Sequence, residues 1–345
     1  MDSNLNDKPL ITVLMPVYNC ELYVLEAVNS ILNQTYCHFE FLIIDDASTD
    51  NTISIVKSHL DSRIQLIEKP INTGYTNSLN YGLKIAKGKY IARMDGDDIS
   101  FPERLAKQVT FLETHPETVL CGTNYKIIGD DKKISIPETD AAIKVALLKG
   151  NCICHPSVMF RKEVIDRFSI IYDTSKEPAE DYDMWVRLLS YGKLHNLEDV
   201  LLEYRLHTTQ VSRKRVEEQK RTDVEMKFEL FNYLDLELNS SDINFLNKFF
   251  KEIEIVDFCD SKLFKEIQIK LSNCNVNCFF EPIGFKHYLI DLEADFVKKC
   301  IFNQNRYSPF IYLNYLVAKY KWGIGLTFNQ EVKLFVKSLI FKKIR

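Results

Sequence analysis

The chain has 345 residues, 46% of them hydrophobic, and a formal net charge of −4. This length allows one large domain or two modest ones, and the hydrophobic share is ordinary for a protein with a real core. The negative net charge argues against a general nucleic-acid-binding role, so no nucleic acid is expected among the partners.

Cysteine usage and hydropathy bear on the cellular compartment. The nine cysteines are scattered and odd in number, which suits a reducing compartment. The apolar run at 10–17 is too short for a secretory signal. No segment reaches about 18 uninterrupted apolar residues, the length needed to span a membrane. We therefore expect a cytoplasmic protein.

The C-terminal segment 332–345 mixes apolar residues with five basic ones and no acid. A helix of this composition could lie on an anionic membrane surface, as a peripheral contact with the inner face of the plasma membrane. The alternative is an ordinary terminal helix that packs on its own domain.

Short apolar runs alternate with amphipathic segments between residues 10 and 94. This alternation predicts an α/β fold with a mostly parallel central sheet and helices on both faces. The predicted strands are 10–16, 39–44, 64–68 and 90–94, and the predicted helices are 21–34, 52–60 and 76–87. Asn19 is the predicted N-cap of the first helix.

The alternation continues less regularly as far as residue 204. Strands are predicted at 118–128 and 197–204, helices at 140–149 and from 179, and a loop entering a strand at 155–161. From about residue 214 the composition becomes helical in character, rich in Lys, Glu, Phe and Tyr. We therefore predict an α/β domain at 1–213, followed by a helical C-terminal region at 214–345.

Polar or acidic clusters follow three of the first four predicted strands, at 16–19, at Asp45 and Asp46, and at 95–98. Ligands of parallel sheets bind beyond the carboxyl ends of the strands, so these clusters should converge on one edge. A Gly-x-Gly-x-x-Gly pattern is missing after the first strand, and the chain has no Gly-x-x-x-x-Gly-Lys-Ser/Thr. Both observations disfavour a dinucleotide site or a P-loop.

Three carboxylates, those of Asp95, Asp97 and Asp98, come together after the fourth predicted strand. They repel one another, and a hard cation such as Mg²⁺ or Mn²⁺ would relieve that repulsion. Carboxylates that leave coordination positions open suit a metal shared with substrate phosphates. The alternative interpretation is a solvated acidic turn.

Six short motifs together resemble the family 2 glycosyltransferases of the GT-A fold, in that family's order and spacing, over about residues 9–212. The motifs are residues 16–19, 45–50, 72–74, 92–98, 180–183 and 204–207. The resemblance implies inverting transfer of a sugar from a nucleotide-sugar, usually UDP-linked, to an acceptor hydroxyl. By analogy, the acceptor is a saccharide or lipid-linked saccharide in cell-surface polysaccharide or glycolipid synthesis. The helical region could contact this acceptor or a membrane surface.

The resemblance also implies which residues bind the nucleotide. Tyr18 would stack on the uracil ring, with Pro16 lining the same pocket, since an aromatic face suits a flat base. Asp46 would accept the uracil N3–H, because a carboxylate offers only acceptors. Asp95 would hydrogen-bond the ribose.

The implied cofactor is a divalent cation, Mn²⁺ or Mg²⁺. Asp97 would bind it directly, with Asp98 in support, and His207 would complete the metal shell. Arg93 and Lys69 could face phosphate or only the acidic cluster, and the sequence does not choose between these roles.

The implied general base is Asp181, which would take the acceptor's proton during a single inverting displacement. Glu180 and Asp183 remain alternative bases, and all three could instead be acids favoured by the dipole at a helix start. Glu180 is also a candidate substrate contact. His155 is expected near the donor sugar or acceptor, or else as a packed loop histidine.

One residue departs from the family pattern, because Ala47 stands where glycine often follows the two acids. Alanine fits there only if its φ stays negative.

Two other functions stay open. A sugar-nucleotide pyrophosphorylase would want a glycine- and arginine-rich loop after the first strand, which is missing. A sugar-nucleotide-binding protein without transferase activity is disfavoured by the presence of Asp97 and Asp181.

Overall fold

The computed structural model describes residues 9–130, 132–207, 215–251, 256–302 and 308–339. The chain forms two compact units, Met1–Met226 and Lys227–Arg345. The boundary predicted from the sequence, between 213 and 214, lies outside the described residues, as do residues 340–345 of the basic C-terminal segment.

The first unit begins with four parallel strands joined by helices. The strands lie in the order β3-β2-β1-β4. Both β1 and β2 are buried along their whole length, as expected of strands covered on both faces. The strands are β1 Ile11–Val17, β2 Phe39–Asp45, β3 Ile64–Glu68 and β4 Tyr90–Arg93, and the helices are α1 Val24–Leu32, α2 Thr52–Lys57 and α3 Tyr75–Ile85. The predicted parallel arrangement is confirmed for this half.

The second half of the sheet is mixed and continues in the order β4-β8-β6-β9-β5. Strand β8 is antiparallel to both β4 and β6, whereas β9 is parallel to β6. The strands are β5 Ile99–Ser100, β6 Thr118–Ile127, β7 Lys133–Ile134, β8 Met159–Arg161 and β9 Lys193–Tyr204. The helices are α4 Arg104–Thr114, α5 Asp140–Leu147, α6 Lys162–Arg167 and α7 Glu180–Leu188.

Helix α1 is shorter than predicted, and Asn19 is not its N-cap. The helix starts after Tyr23, which makes no side-chain cap. Asn19 instead takes a positive φ of 51°, and its Oδ1 accepts the N–H of Thr49 at 2.9 Å. Asn tolerates this left-handed conformation better than most residues. The side chain therefore ties the end of β1 to the loop after β2.

The second unit is helical, as predicted, and its core is rich in phenylalanine. The rings of Phe264 and Phe296 stack at 4.2 Å, and Phe245 and Phe249 pack around them. Its helices are α9 Ser240–Lys251, α10 Ser261–Cys274, α11 Pro282–Phe302, α12 Pro309–Trp322 and α13 Phe328–Leu339, after α8 Val216–Phe231, which links the two units along the chain. Within the described ranges, no helix combines the length and hydropathy required to cross a membrane.

Candidate active site

Three carboxylates lie together directly after β4, in agreement with the sequence. One ligand atom from each of Asp95, Asp97 and Asp98 lies within 4.8 Å of the others. Asp98 is fully buried, and its Oδ2 accepts no hydrogen bond from any residue that the structure describes. A buried carboxylate oxygen without a donor is unfavourable unless a cation compensates it. The donor set therefore fits a divalent cation that prefers oxygen ligands.

The pKa shifts of Asp95 and Asp98 also favour a bound cation. Burial raises the pKa of Asp98 well above its ordinary value, and the charges of Asp95 and Asp97 raise it further. Burial also raises the pKa of Asp95, although the nearby Arg93 lowers it in part. A bound cation would reverse these shifts, because it favours the ionised carboxylates.

His207 lies beside the same cluster. Its Nε2 is 2.8 Å from Oδ2 of Asp97. Neighbouring ligands of an octahedral cation stand about 3 Å apart when each metal–ligand bond is about 2.1 Å. The two side chains are therefore spaced so that one cation could bind both, and Mn²⁺ accepts such an imidazole and carboxylate pair.

Arg205 fixes the acidic turn to the end of β9. Its backbone N–H donates to Oδ1 of Asp98 at 2.8 Å, and its Nε donates to the backbone carbonyl of Asp97 at 2.7 Å. The guanidinium also pairs with Glu26 at 2.6 Å and lies over the ring of Tyr23. The turn is thus held in place by protein contacts.

Arg93 is a buried cation beside the acidic cluster. Its guanidinium forms an ion pair with Asp95, and its charge acts on His155 and Asp181 as well. Its Nε donates no hydrogen bond within the described part of the chain. The arrangement is compatible with both roles that the sequence left open, pairing with the acidic cluster and contact with a ligand's phosphate.

Asp46 anchors the turn that leads into α3. Its Oδ1 accepts from Nζ of Lys69 at 2.5 Å and from the N–H of Thr73 at 3.0 Å, and its Oδ2 accepts from the N–H of Gly74 at 2.8 Å. Burial would raise the pKa of Asp46, but these donors outweigh it and lower the pKa. Because each carboxylate oxygen can accept about two hydrogen bonds, only Oδ2 retains capacity for a ligand donor. Lys69 is committed to this carboxylate rather than to the acidic cluster.

Asp45 belongs to the second polar cluster of the sequence, which suggested no individual role for it. It is fully buried at the end of β2, and its Oδ2 accepts the N–H of Ser48 at 2.9 Å. Its Oδ1 accepts no hydrogen bond among the described residues. Asp45 pairs across the sheet with Val17. Pro16 and Tyr18 flank Val17 in the sequence, so both lie near Asp45. Tyr18 keeps 47% of its surface exposed, so its ring is accessible to a flat ligand.

The expectation that Ala47 keeps a negative φ is wrong. Its φ is 63°, in the left-handed region that glycine adopts most easily. The surrounding contacts impose this conformation. The N–H of Asp46 donates to the carbonyl of Val17 at 2.9 Å, and the N–H of Ser48 turns back to Asp45.

Helix α7 carries three acids in its first turn, and the structure separates their environments. Oδ2 of Asp181 accepts from Nδ2 of Asn151 at 2.7 Å, and its Oδ1 accepts from the N–H of Tyr182 at 2.7 Å. Asp183 is instead bound to Arg187 in an ion pair of 2.7 Å. Asp183 is therefore occupied within its own helix.

The neighbouring acids Glu180 and Asp181 differ in pKa. Glu180 is 2% exposed, and its Oε2 accepts from the hydroxyl of Tyr75 at 2.7 Å. Burial, followed by the charge of Asp181, raises the pKa of Glu180 to about 8. Burial raises the pKa of Asp181 only to about 6, because its two donors and Arg93 oppose the shift. Glu180 therefore holds a proton more readily than Asp181 does.

His155 is packed, yet lies within the electrostatic reach of the site. Its Nε2 is 2.9 Å from the hydroxyl of Tyr172, and its ring meets Trp185 edge-on at 5.6 Å. Burial, and then the charge of Arg93, lower its pKa well below the ordinary value. The low pKa favours a neutral imidazole. Of the two roles expected from the sequence, the structure therefore favours a histidine packed in its loop over a charged contact to a ligand.

The site recruits residues that had no visible role in the sequence. Arg205 lies within the motif 204–207, so its position in the sequence could have suggested a contact with the acids. The others are joined to the site only by the fold, over large sequence separations. They are Tyr75, Asn151 and Tyr172.

Comparisons with protein families and known proteins all match this chain to glycosyltransferases. The family model described as Glycosyl transferase family 2 matches residues 12–168. An uncharacterized glycosyltransferase of Haemophilus influenzae is 35% identical over 265 residues, which cover 72% of this chain and 78% of the relative. The Escherichia coli protein WfaP, a UDP-Glc:alpha-D-GlcNAc-diphosphoundecaprenol beta-1,3-glucosyltransferase, is 33% identical over 211 residues, which cover 61% of this chain and 82% of WfaP.

Solved structures support the fold. S. aureus TarS 1-349, crystallised with UDP, has a TM-score of 0.55 at 18% identity, and the match covers 91% of each chain. The mannosyltransferase PcManGT of Pyrobaculum calidifontis, solved with GDP-Man and Mn²⁺, has a TM-score of 0.53 at 18% identity, over 88% of this chain and 90% of PcManGT. The predicted GT-A-type fold class is thereby confirmed.

Proposed function

The chain belongs to glycosyl transferase family 2, and from this premise we propose that it is an inverting, metal-dependent glycosyltransferase that uses a UDP-sugar. One observation carries the proposal. A cluster of three carboxylates that could share a cation, and the carboxylate of Asp181 on α7, both interact electrostatically with the same buried guanidinium, that of Arg93. Inverting transfer needs these two components, a site that stabilises the departing diphosphate and a base for the acceptor.

Asp181 is the proposed general base. Its pKa is lower than that of Glu180, so of these two acids it is the better placed to be ionised and to take a proton from the acceptor hydroxyl. Glu180 holds its proton more readily, and Asp183 is paired with Arg187. Neither neighbour therefore competes for the role. A base on one face of the sugar and a leaving group on the other give one displacement with inversion.

Asp97 and His207 would hold the cation, with Asp98 at the buried side of the cluster. A divalent cation bound there would offset the negative charge that develops on the leaving nucleoside diphosphate. Arg93 would contribute positive charge from a fixed, buried position, with little reorganisation during the reaction. PcManGT, which shares this fold, was solved with Mn²⁺, and this is consistent with the assignment.

The nucleotide would bind where β1 and β2 end. Tyr18 would stack on the base over Pro16, and Asp95 would bind the ribose. The base N–H would find its acceptor in Asp46, whose Oδ2 keeps capacity for a further donor. WfaP uses a UDP-sugar according to its name, which supports UDP as the nucleotide.

The proposed acceptor is a saccharide, free or lipid-linked, in polysaccharide or glycolipid synthesis. WfaP acts on a diphosphoundecaprenol-linked sugar. This relative supports the class of acceptor and leaves the transferred sugar and the linkage to experiment.

A donor screen tests the proposal. UDP-sugars and GDP-sugars are compared by thermal shift with Mn²⁺, and each stabilising donor is then assayed for nucleoside diphosphate release with and without saccharide acceptors. We expect stabilisation by UDP-sugars, because ligands of the native state raise the melting temperature. The anomeric configuration of the product, read by NMR, decides between inversion and retention. Donor binding without any transfer or hydrolysis would favour a binding protein instead.

A further inference from the structure

Helix α12 exposes an apolar stripe to solvent. Its members recur at intervals of three, four and three residues, so they share one face of the helix. The opposite face carries the buried residues Ile311, Tyr315 and Ala318. The exposed residues are Phe310 at 74%, Leu313 at 53%, Val317 at 49% and Tyr320 at 78%.

Helix α13 repeats this arrangement. Its buried residues are Leu334 and Ser338, and five large apolar side chains cover the other side. These are Phe328, Val332, Phe335, Val336 and Leu339, each between 42% and 80% exposed. Single exposed apolar residues are normal on a protein surface, but nine on two neighbouring helices form a patch of the kind that marks an interaction site.

The two helices pair as an antiparallel hairpin. The rings of Tyr312 and Phe335 lie 5.0 Å apart, and Nζ of Lys319 binds Glu331 at 2.6 Å. Each apolar stripe lies opposite the buried side of its own helix. Phe335, 42% exposed, also borders the contact between the two helices. We call the nine exposed apolar residues of the two stripes the hairpin apolar face.

The charge of the hairpin differs in sign from that of the whole chain. Residues 308–339 contain four lysines and one acid, Glu331, while the net charge of the chain is −4. The acid is already paired with Lys319. Lys321 and Lys333 are exposed, so an excess of positive charge borders the apolar face.

We propose that the hairpin apolar face docks the protein onto an anionic membrane surface. Apolar side chains would enter the boundary between headgroups and acyl chains, and the lysines would meet anionic headgroups. Four of the nine side chains are aromatic, a type enriched at membrane–water interfaces. A second copy of the chain is a poorer occupant, since it would bring two sets of like-charged lysines together.

Vesicle co-sedimentation tests the inference with the full chain. The vesicles contain equal parts of phosphatidylglycerol and phosphatidylcholine, and phosphatidylcholine alone serves as the neutral reference. We expect binding to the anionic vesicles that weakens with salt. Phe310→Ser combined with Phe328→Ser should reduce the binding about tenfold or more, because both rings would lose their burial in the interface.

A matched variant separates this effect from a general loss of apolar surface. Val276→Ser combined with Ile283→Ser removes two side chains of similar exposure, 68% and 66%, from other places in the second unit. This control should bind the vesicles like the wild type. Equal loss in both variants, or no binding by the wild-type chain, would overturn the proposal.

Oligomeric state is measured in parallel by light scattering. A dimer that dissociates in the Phe310→Ser/Phe328→Ser variant, without vesicle binding by the wild type, would assign the face to a second copy and refute the membrane. UDP-dependent thermal stabilisation is followed in the same samples and should not change. The membrane inference and the proposed reaction can thus fail independently.

Discussion

Nδ2 of Asn151 donates a hydrogen bond to Oδ2 of Asp181 at 2.7 Å, across 30 positions of sequence. The bond holds the proposed base in one orientation and lowers its pKa, against the upward shift that burial causes. Asn151 is therefore a positioning residue whose removal should change the pH dependence of the enzyme as well as its rate.

Asn151→Ala should move the acid limb of the kcat profile upward from about pH 6. A base works only when ionised, so activity falls as the pH drops through its pKa. Loss of a charged hydrogen bond is worth about 1.5 kcal/mol, or roughly one pH unit. The measurement is transfer rate against pH, with Asn247→Ala in the second unit as the control. A uniform loss of rate at every pH would indicate a merely structural role.

Asp181→Asn should reduce transfer by roughly 10²–10⁴-fold while UDP and Mn²⁺ binding stay near wild type. Asp183→Asn should cost much less activity, since Asp183 is bound to Arg187. The three acids of α7 are compared by initial rates and by calorimetric UDP binding. Near-normal transfer by Asp181→Asn, with loss in Asp183→Asn or Glu180→Gln, would move the base to a neighbour.

Glu180→Gln should stabilise the protein at alkaline pH. The pKa of Glu180 is about 8 in the folded chain against 4.5 for the ordinary group. Its contribution to stability is fully present below about pH 4.5 and is lost as the pH rises through about 8. Glutamine stays neutral and can still accept from Tyr75, so it avoids this loss. Urea unfolding of both proteins should give similar stability at pH 4.5. At pH 8 the variant should gain on the order of 4 kcal/mol, because each pKa unit of the shift is worth about 1.4 kcal/mol.

Asp97→Asn and His207→Ala should each weaken the stabilisation that Mn²⁺ adds to UDP binding. Their proposed ligand atoms are 2.8 Å apart, and loss of either leaves the cation with fewer protein ligands. The readout is the melting temperature with UDP, with and without Mn²⁺ and EDTA. Asp199→Asn removes a surface carboxylate that pairs with Lys107 and serves as the charge control. Full stabilisation by UDP in EDTA would contradict the metal role.

Ala47→Gly should raise the free energy of unfolding by about 0.5–1 kcal/mol. The left-handed conformation costs a non-glycine residue about 1–2 kcal/mol, and the greater freedom of unfolded glycine offsets part of the gain. Ala47→Val should destabilise, because a β-branched residue is strained at a φ of 63°. Urea unfolding in the order Gly, Ala, Val checks the prediction, and a valine variant as stable as glycine would refute it.

Local sequence pattern predicted the first half of the sheet well. Strands β1 to β4 are short apolar runs separated by helices, so periodicity and strand-end polarity place Asp95 and its neighbours correctly at one edge. The pattern could not show that β8 enters between β4 and β6 in the opposite direction. Three paired residues define its contact with β4, too few for a recognisable signal.

The environment of individual site residues was also beyond the sequence. The partners Tyr75 and Asn151 reach Glu180 and Asp181 only through tertiary packing. The conformation of Ala47 is likewise imposed by hydrogen bonds around it, against the preference of alanine. The sequence identified which acids are available, and the fold decided the hydrogen-bond partners and the burial of each.

The pairing of β4 with β8 has a consequence for recombination between relatives. This seam separates the strands whose ends carry the proposed nucleotide contacts from the part of the chain that carries Asp181. It joins Tyr90 with Arg161 and Ala92 with Met159. A chimaera that crosses over between the two strands would take the proposed nucleotide contacts from one parent and the proposed base from the other. His207 contacts Asp97 from the other side of the seam. A working chimaera must therefore inherit both from the same parent or preserve their match.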